Sequence, residues 1–289
     1  MPSCVAPWAK IKTPKTKHNT FKTGIVAQHM QKSIKKISFA GAGNVAWHLA
    51  NGLKSSGFDI RRVWSRDIAN AGELAESCGA EACPELSMLR EQTDLIIIAT
   101  ADNAIAEIAA GIGSFEGILV HTAGSVPMEI LADYANNFGV LYPLQTFSKG
   151  VPADLGTVPF FTEASSEVVL HALNQVARSI SAKVHTIDSR QRLMLHTAAV
   201  FAGNYSNLMY IISNELLANS NLPADALHPL ILETSRKAVS GDPKAMQTGP
   251  ARRNDTSTLQ KHLSALASIP EYAELYKLLA SMITKKYNQ

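Results

Sequence analysis

Between residues 34 and 163, short apolar runs alternate with stretches of helical period. Ile34–Ala40 is one such run and ends in a glycine-rich turn. A helical pattern follows over Val45–Ser56 and stops at Gly57. Ile60–Trp64 predicts a second strand, and Ile68–Ser77 a second helix stopped near Gly79. Asp94–Thr100 (DLIIIAT) and Gly117–His121 (GILVH) are continuous apolar runs, as in strands covered on both faces. Gly139–Leu141 and Thr157–Phe161 are shorter candidates. This alternation predicts a parallel sheet with helices on both sides.

Beyond residue 163 the period changes. Ser165–Ser179 is amphipathic and Lys183–Ile187 is strand-like. Ser189–Ser220 then runs without proline and with Gly203 as its one glycine. At 1.5 Å per residue it would reach about 48 Å if unbroken. Ala224–Val239, Ser257–Ala267 and Pro270–Lys286 also read as helices, so this part is mainly α. The expected organisation is an N-terminal extension at 1–33, disordered or non-native, an α/β domain at 34–163 and a helical domain for substrate and dimerisation at 164–289.

Composition changes this picture little. The chain has 289 residues, 46% of them apolar, enough for a sizeable core. It has no apolar run of about 18 residues, so no membrane-spanning helix is expected. Its net charge is +3, and six lysines lie in residues 1–33 (Lys10, Lys12, Lys15, Lys17, Lys22, Lys32) with no acid to balance them. Residues 34–289 are therefore mildly acidic, which argues against nucleic-acid binding. Three cysteines without a C-x-x-C pair fit a reducing, cytoplasmic setting and argue against a disulfide framework or a structural zinc site.

The turn after the first strand carries the candidate chemistry. Gly41 permits the tight turn, Gly43 lets backbone approach a pyrophosphate, and Ala46 lets helix and strand pack closely. With Asn44 and Val45 they form G-x-G-x-x-A opening a helix, whose free N–H groups bind phosphate. About 20 residues on, where an NAD site places an acid, stand Ser65 and Arg66. A guanidinium pairs with a 2′-phosphate, so NADP is the expected cofactor. The alternative is a surface Arg66 with Asp67 serving the ribose.

The loops after the later strands should face the nicotinamide. They offer Thr100 and Asp102 for the cofactor, Ser125 for catalysis, and Gln145 for substrate. Asp102 as a helix cap and Ser125 as a turn residue before Pro127 are the bland alternatives. On the long helical run, Asn207 falls about 20° and Asn204 about 80° from His196 at 100° per residue. His196 is the candidate proton donor, Asn204 a second catalytic group, and Asn207 a substrate contact. Arg253, in the loop QTGPARRND, could hold a substrate anion.

The segments FAGAGNVA, VWSR, DLIIIATADNAI, HTAGS, YPLQTF, LHTAAVFAGNYSN and TGPARRND carry a resemblance. From about residue 34 the chain resembles a bacterial family of Rossmann-type oxidoreductases with a C-terminal helical domain of unassigned function. That family belongs to the group of 6-phosphogluconate dehydrogenase-like, pyrroline-5-carboxylate reductase-like and F420-dependent NADP-oxidoreductase-like proteins. The resemblance implies a Rossmann-type parallel sheet domain followed by an all-helical, 6-phosphogluconate dehydrogenase C-terminal-like domain, often used for dimerisation. It assigns Gly41, Gly43 and Ala46 to the pyrophosphate and Ser65 and Arg66 to the 2′-phosphate. The lysine that β-hydroxyacid dehydrogenases of this group place on the central helix has no counterpart, since no lysine lies between Lys183 and Lys237.

Two functions follow as expectations. One is hydride transfer between NADP(H) and a small anionic carbonyl or imine substrate, by a cytoplasmic homodimer without membrane or nucleic-acid partners. The other is a non-catalytic NADP-binding sensor or assembly subunit. A methyltransferase using S-adenosylmethionine is disfavoured by the two-domain arrangement around the glycine turn.

Overall fold

A computed structural model describes residues 33–287 of the chain. The expected N-terminal extension, apart from Ser33, lies outside the described residues. Two compact units meet at Ala199 and Val200 in the chain.

The first unit is an eight-stranded sheet in the order β3-β2-β1-β4-β5-β6-β7-β8. Its strands are β1 (Lys36–Ala40), β2 (Asp59–Trp64), β3 (Glu81–Ala82), β4 (Leu95–Ile98), β5 (Phe115–His121), β6 (Ala135–Pro143), β7 (Phe160–Ala164) and β8 (Val184–Thr186). All neighbours pair in parallel except β6 and β7, which are antiparallel. Helices α1 (Asn44–Ser55), α2 (Ile68–Cys78), α3 (Ile105–Ile112) and α4 (Glu167–Ile180) cover it. The strand order reverses between β1 and β4, which makes their carboxyl ends the expected ligand crevice.

The unbroken apolar runs of the sequence follow from burial on both faces. In β4, Leu95 and Ile97 join the core under α1, α2 and α4, while Ile96 and Ile98 join the opposite core with α3. The period of two in a strand divides one run between two cores. Each such side chain taken out of water stabilises the fold by about 1.5–3 kcal/mol. Gly79, at φ +68, ends α2 in the left-handed conformation expected of a stop.

The first compact unit extends past the expected boundary at 163. β7 pairs with β6 and β8 with β7, and α4 buries Val169, Leu173 and Val176 in the sheet's core. Residues 164–188 therefore complete the sheet instead of opening the helical part.

The second unit is helical. Helix α5 (Ser189–Val200) closes the first unit, and the long run goes on in the second as a π-helical turn at Phe201–Tyr205 and α6 (Ser206–Asn219). The second unit also contains α7 (His228–Ser240), α8 (Pro243–Met246), α9 (Thr256–Ala265) and α10 (Pro270–Tyr287). The π turn surrounds Gly203, the one glycine of the run. It alters the step per residue, so the angles expected for Asn204 and Asn207 relative to His196 do not carry across it. No helix among the described residues is long and apolar enough to cross a membrane.

Candidate functional site

A cleft of about 740 Å³ opens in the first unit at the carboxyl ends of β1, β2 and β4. Gly41, Gly43, Asn44, Val45, Ser65, Arg66 and Thr100 all line it. Gly41 sits at φ +118, and a Cβ there would stand 2.3 Å from the Ala99 carbonyl oxygen, so only glycine closes this turn. A Cβ on Gly43 would meet nothing within 4 Å. Gly43 caps α1 without a side chain, and the first turn carries no acid. The amides opening α1 are thus left for an anion, with the helix dipole favouring negative charge. Ala46 lies fully buried beneath them, where a larger side chain would push α1 off the sheet.

The end of β2 is arranged by charge. Arg61 pairs with Asp59, and Arg62 with Glu81 and Glu91. Arg66 is exposed at the cleft and makes no ion pair among the described residues. Asp67 caps α2, accepting from the Ala69 amide at 2.9 Å and from Asn70. The carboxylate that could have served a ribose is therefore engaged, and the guanidinium beside it is open. Thr100 adds to the cleft wall a buried hydroxyl without a partner among the described residues. Free helix amides, an open guanidinium and an unsatisfied hydroxyl together fit a phosphorylated dinucleotide. Asn44 lines the cleft as well, with its Oδ1 accepting from the Lys149 amide at 3.0 Å.

A second cluster gathers where the loops after β4, β5 and β6 meet α5. Ser125 donates its hydroxyl hydrogen to Asp102, joining the first two loops. Tyr142, at the end of β6, brings its hydroxyl to 2.9 Å from His196 Nδ1, with the rings edge to face at 5.9 Å. Gly124 has no room for a Cβ, which would lie 2.5 Å from His196 Cγ. One turn before His196, Arg192 is buried and ion-paired with Glu163 of β7. Its other guanidinium nitrogen donates to the Val126 carbonyl of the loop after β5. Glu163 also accepts from the amide and hydroxyl of Ser189, fixing the start of α5. Below the loop, His121 is fully buried, and its Nδ1 accepts the Ala123 amide at 3.2 Å. Burial and the nearby Arg192 push His121 down to about 4, so it is neutral at ordinary pH.

The structure thus brings His196, Ser125 and Asp102 onto the end of the sheet. Asp102 lies outside the cleft lining and is tied to Ser125. Gln145 is exposed, its Oε1 accepting from the adjacent Thr146 amide at 2.8 Å. Asn204, Asn207 and Arg253 belong to the second unit, where all three are exposed. The loop of Arg253 is shaped by Asp255, which caps α9 by accepting from the Thr258 amide at 3.0 Å. Those hydrogen bonds, first from the Thr258 backbone, hold the Asp255 carboxyl below its usual range. Sequence reasoning missed Tyr142, Glu163 and Arg192. Arg192 stands four residues before His196, a spacing that puts both on one helix face and was the available signal.

Comparisons with known proteins agree with this architecture. Residues 36–123 match a family model described as NADP oxidoreductase coenzyme F420-dependent, and residues 158–283 match a domain of unknown function, DUF2520. The crystal structure of a "putative NADP oxidoreductase" from Bacteroides fragilis is 42% identical, with a TM-score of 0.83. The match covers 87% of this chain and 98% of that one. A Thermotoga maritima protein is 21% identical over 88% of this chain and 100% of its own, with a TM-score of 0.66. A reductive aminase from Aspergillus terreus, solved with NADPH4, cyclohexanone and allyl amine, is 16% identical at a TM-score of 0.65, covering 88% and 93%. These last two share the fold. No curated protein matches the chain.

Proposed function

The chain belongs to the family of NADP oxidoreductases that the Bacteroides fragilis protein represents, and from that premise we propose that it transfers hydride between NADP(H) and a small, anionic carbonyl or imine compound. The observation that carries this reading is His196, clamped between Tyr142 and Gly124 at the end of the sheet. Gly41, Gly43 and Val45 shape the diphosphate turn, Ser65 and Arg66 receive the 2′-phosphate, and Thr100 offers its hydroxyl to the cofactor.

When bound, NADPH supplies the hydride. As the substrate carbon accepts it, the π pair of the C=O or C=N bond moves to the heteroatom. The proton that heteroatom takes comes from His196 as the imidazolium, which returns to the neutral imidazole. Ser125 has its hydrogen engaged by Asp102 and so presents lone pairs to the substrate. Hydrogen-bond donation to the reacting heteroatom is therefore proposed for His196, and Asn204 is proposed as the second donor. Asn207, Gln145 and Arg253 are proposed to hold the rest of the substrate, Arg253 taking its anionic group. A second copy of the chain is proposed to cover the exposed apolar residues of the helical unit. Buried, unpaired Cys78 and Cys83 support a reducing, cytoplasmic setting.

The test is a panel of keto acids, aldehydes and imines, followed by loss of NADPH fluorescence. Turnover should appear with at least one of them, and His196→Asn should lower kcat by about 100-fold or more with NADPH affinity unchanged. Tight NADPH binding without oxidation by any member would favour the sensor reading, which the missing helix lysine supports. Unchanged turnover in His196→Asn would overturn the proton-transfer role.

A further inference from the structure

The Tyr142–His196 contact can run in either direction as far as its 2.9 Å length is concerned. The surroundings decide the direction. Tyr142 is only 7% exposed. Its hydroxyl has no hydrogen-bond partner besides His196 Nδ1 among the described residues. If Nδ1 carried the proton and donated to the phenol, the hydroxyl hydrogen would be buried without an acceptor, a costly arrangement. If the phenol donates to Nδ1, its hydrogen has an acceptor and both members of this contact are satisfied. The neutral imidazole then carries its proton on Nε2, which has no partner among the described residues.

We propose that Tyr142 is a positioning residue that keeps the His196 proton on Nε2, so that this histidine always presents a hydrogen-bond donor. Three constraints support it. The ring stands edge-on to Tyr142, with an interplanar angle of 75°. It occupies the space a Gly124 side chain would need. Its helix is held one turn earlier by the Arg192–Glu163 pair. A flip of the ring would put Cδ2 in the place of Nδ1 and lose the Tyr142 hydrogen bond. The groups acting on the phenol are Asp102 and Arg192; burial and Asp102 outweigh Arg192 and keep it protonated. What Tyr142 removes is the one neutral form of His196 whose bare Nε2 would face the substrate heteroatom lone pair to lone pair.

This inference rests on the proton-donor reading of His196, yet its direct test needs no substrate. The full chain with ¹⁵N-labelled histidine, in alkaline solution, should show His196 protonated at Nε2 and bare at Nδ1. The His196→Asn spectrum identifies the signal. Tyr142→Phe keeps the ring's bulk, and its NADPH affinity checks the fold. That variant should shift His196 to a mixture of tautomers and lower kcat about five- to tenfold, the loss of one hydrogen bond. An Nδ1-protonated ring in the unaltered protein overturns the proposal, as does an unchanged tautomer in Tyr142→Phe. If His196→Asn keeps full turnover while the tautomer behaves as described, the proton-donor reading fails and the positioning of the ring stands.

Discussion

Arg192 shows how much a single buried charge decides. It is 1% exposed, paired with Glu163 and bonded to Val126, so it ties β7, the loop after β5 and α5 together. Glu163→Gln should cost about 3–5 kcal/mol in urea unfolding, because it strands a buried guanidinium. Replacing both partners by apolar residues should recover most of that loss; a single-variant cost near zero would show the pair is solvated. His121 makes a pH prediction. Its folded value of about 4 lies below the ordinary 6.5, so the unfolded chain binds more protons between them. Stability should be full above pH 6.5 and fall as the pH drops toward 4, by a few kcal/mol in all. His121→Gln should flatten that slope, and an unaltered slope would exclude His121 as its source. At this scale the sequence was legible where backbone geometry demands a residue type, as at Gly41. Arg192 and Glu163 were not, since a buried arginine within SRQRLMLH looks like any polar helix surface.

Helix α1 carries the largest share of the cofactor argument, because its first amides have no side-chain cap. Gly43→Asp tests this at the level of the element. The added side chain meets open space, and an aspartate is as good a helix cap as glycine or slightly better. Thermal stability should hold or rise slightly, while NADPH affinity falls at least about tenfold as the carboxylate takes the amides and repels phosphate. Full affinity in that variant would place the diphosphate elsewhere. The expected elements beginning at Ile34, Val45, Ile60, Ile68, Asp94 and Gly117 each have counterparts, because double-sided burial and glycine stops write themselves into sequence. Two-residue β3 was missed, being too short for any period. The π turn at Phe201–Tyr205 was missed because nothing in FAGNY sets it apart from an ordinary α-helical turn. Residues 164–188 were assigned to the helical part because pairing of β8 with β7 is a tertiary fact.

The whole chain divides its labour between a well-packed sheet unit and a helical unit with little interior. Helices α6, α7, α9 and α10 contain no buried residue, and Phe201, Leu230 and Leu232 are 62%, 62% and 71% exposed. Apolar side chains in such number call for a covering partner, and a second copy is the one proposed. Light scattering after gel filtration should give a dimer, and a strictly monomeric protein at micromolar concentration would contradict it. The amphipathic patterns of this half were readable, but which side chains stay uncovered was not, because apolar spacing records a buried face without saying what buries it. The central claim concerns the other unit, where α1 and Arg66 define a site for a phosphorylated dinucleotide. Its most direct measurement is calorimetric titration of the full chain with NADPH and NADH, repeated for Arg66→Ala. The account requires NADPH to bind at least about tenfold more tightly than NADH, with that preference lost in the variant. Equal binding of the two coenzymes by the unaltered protein, or binding of neither, would contradict it.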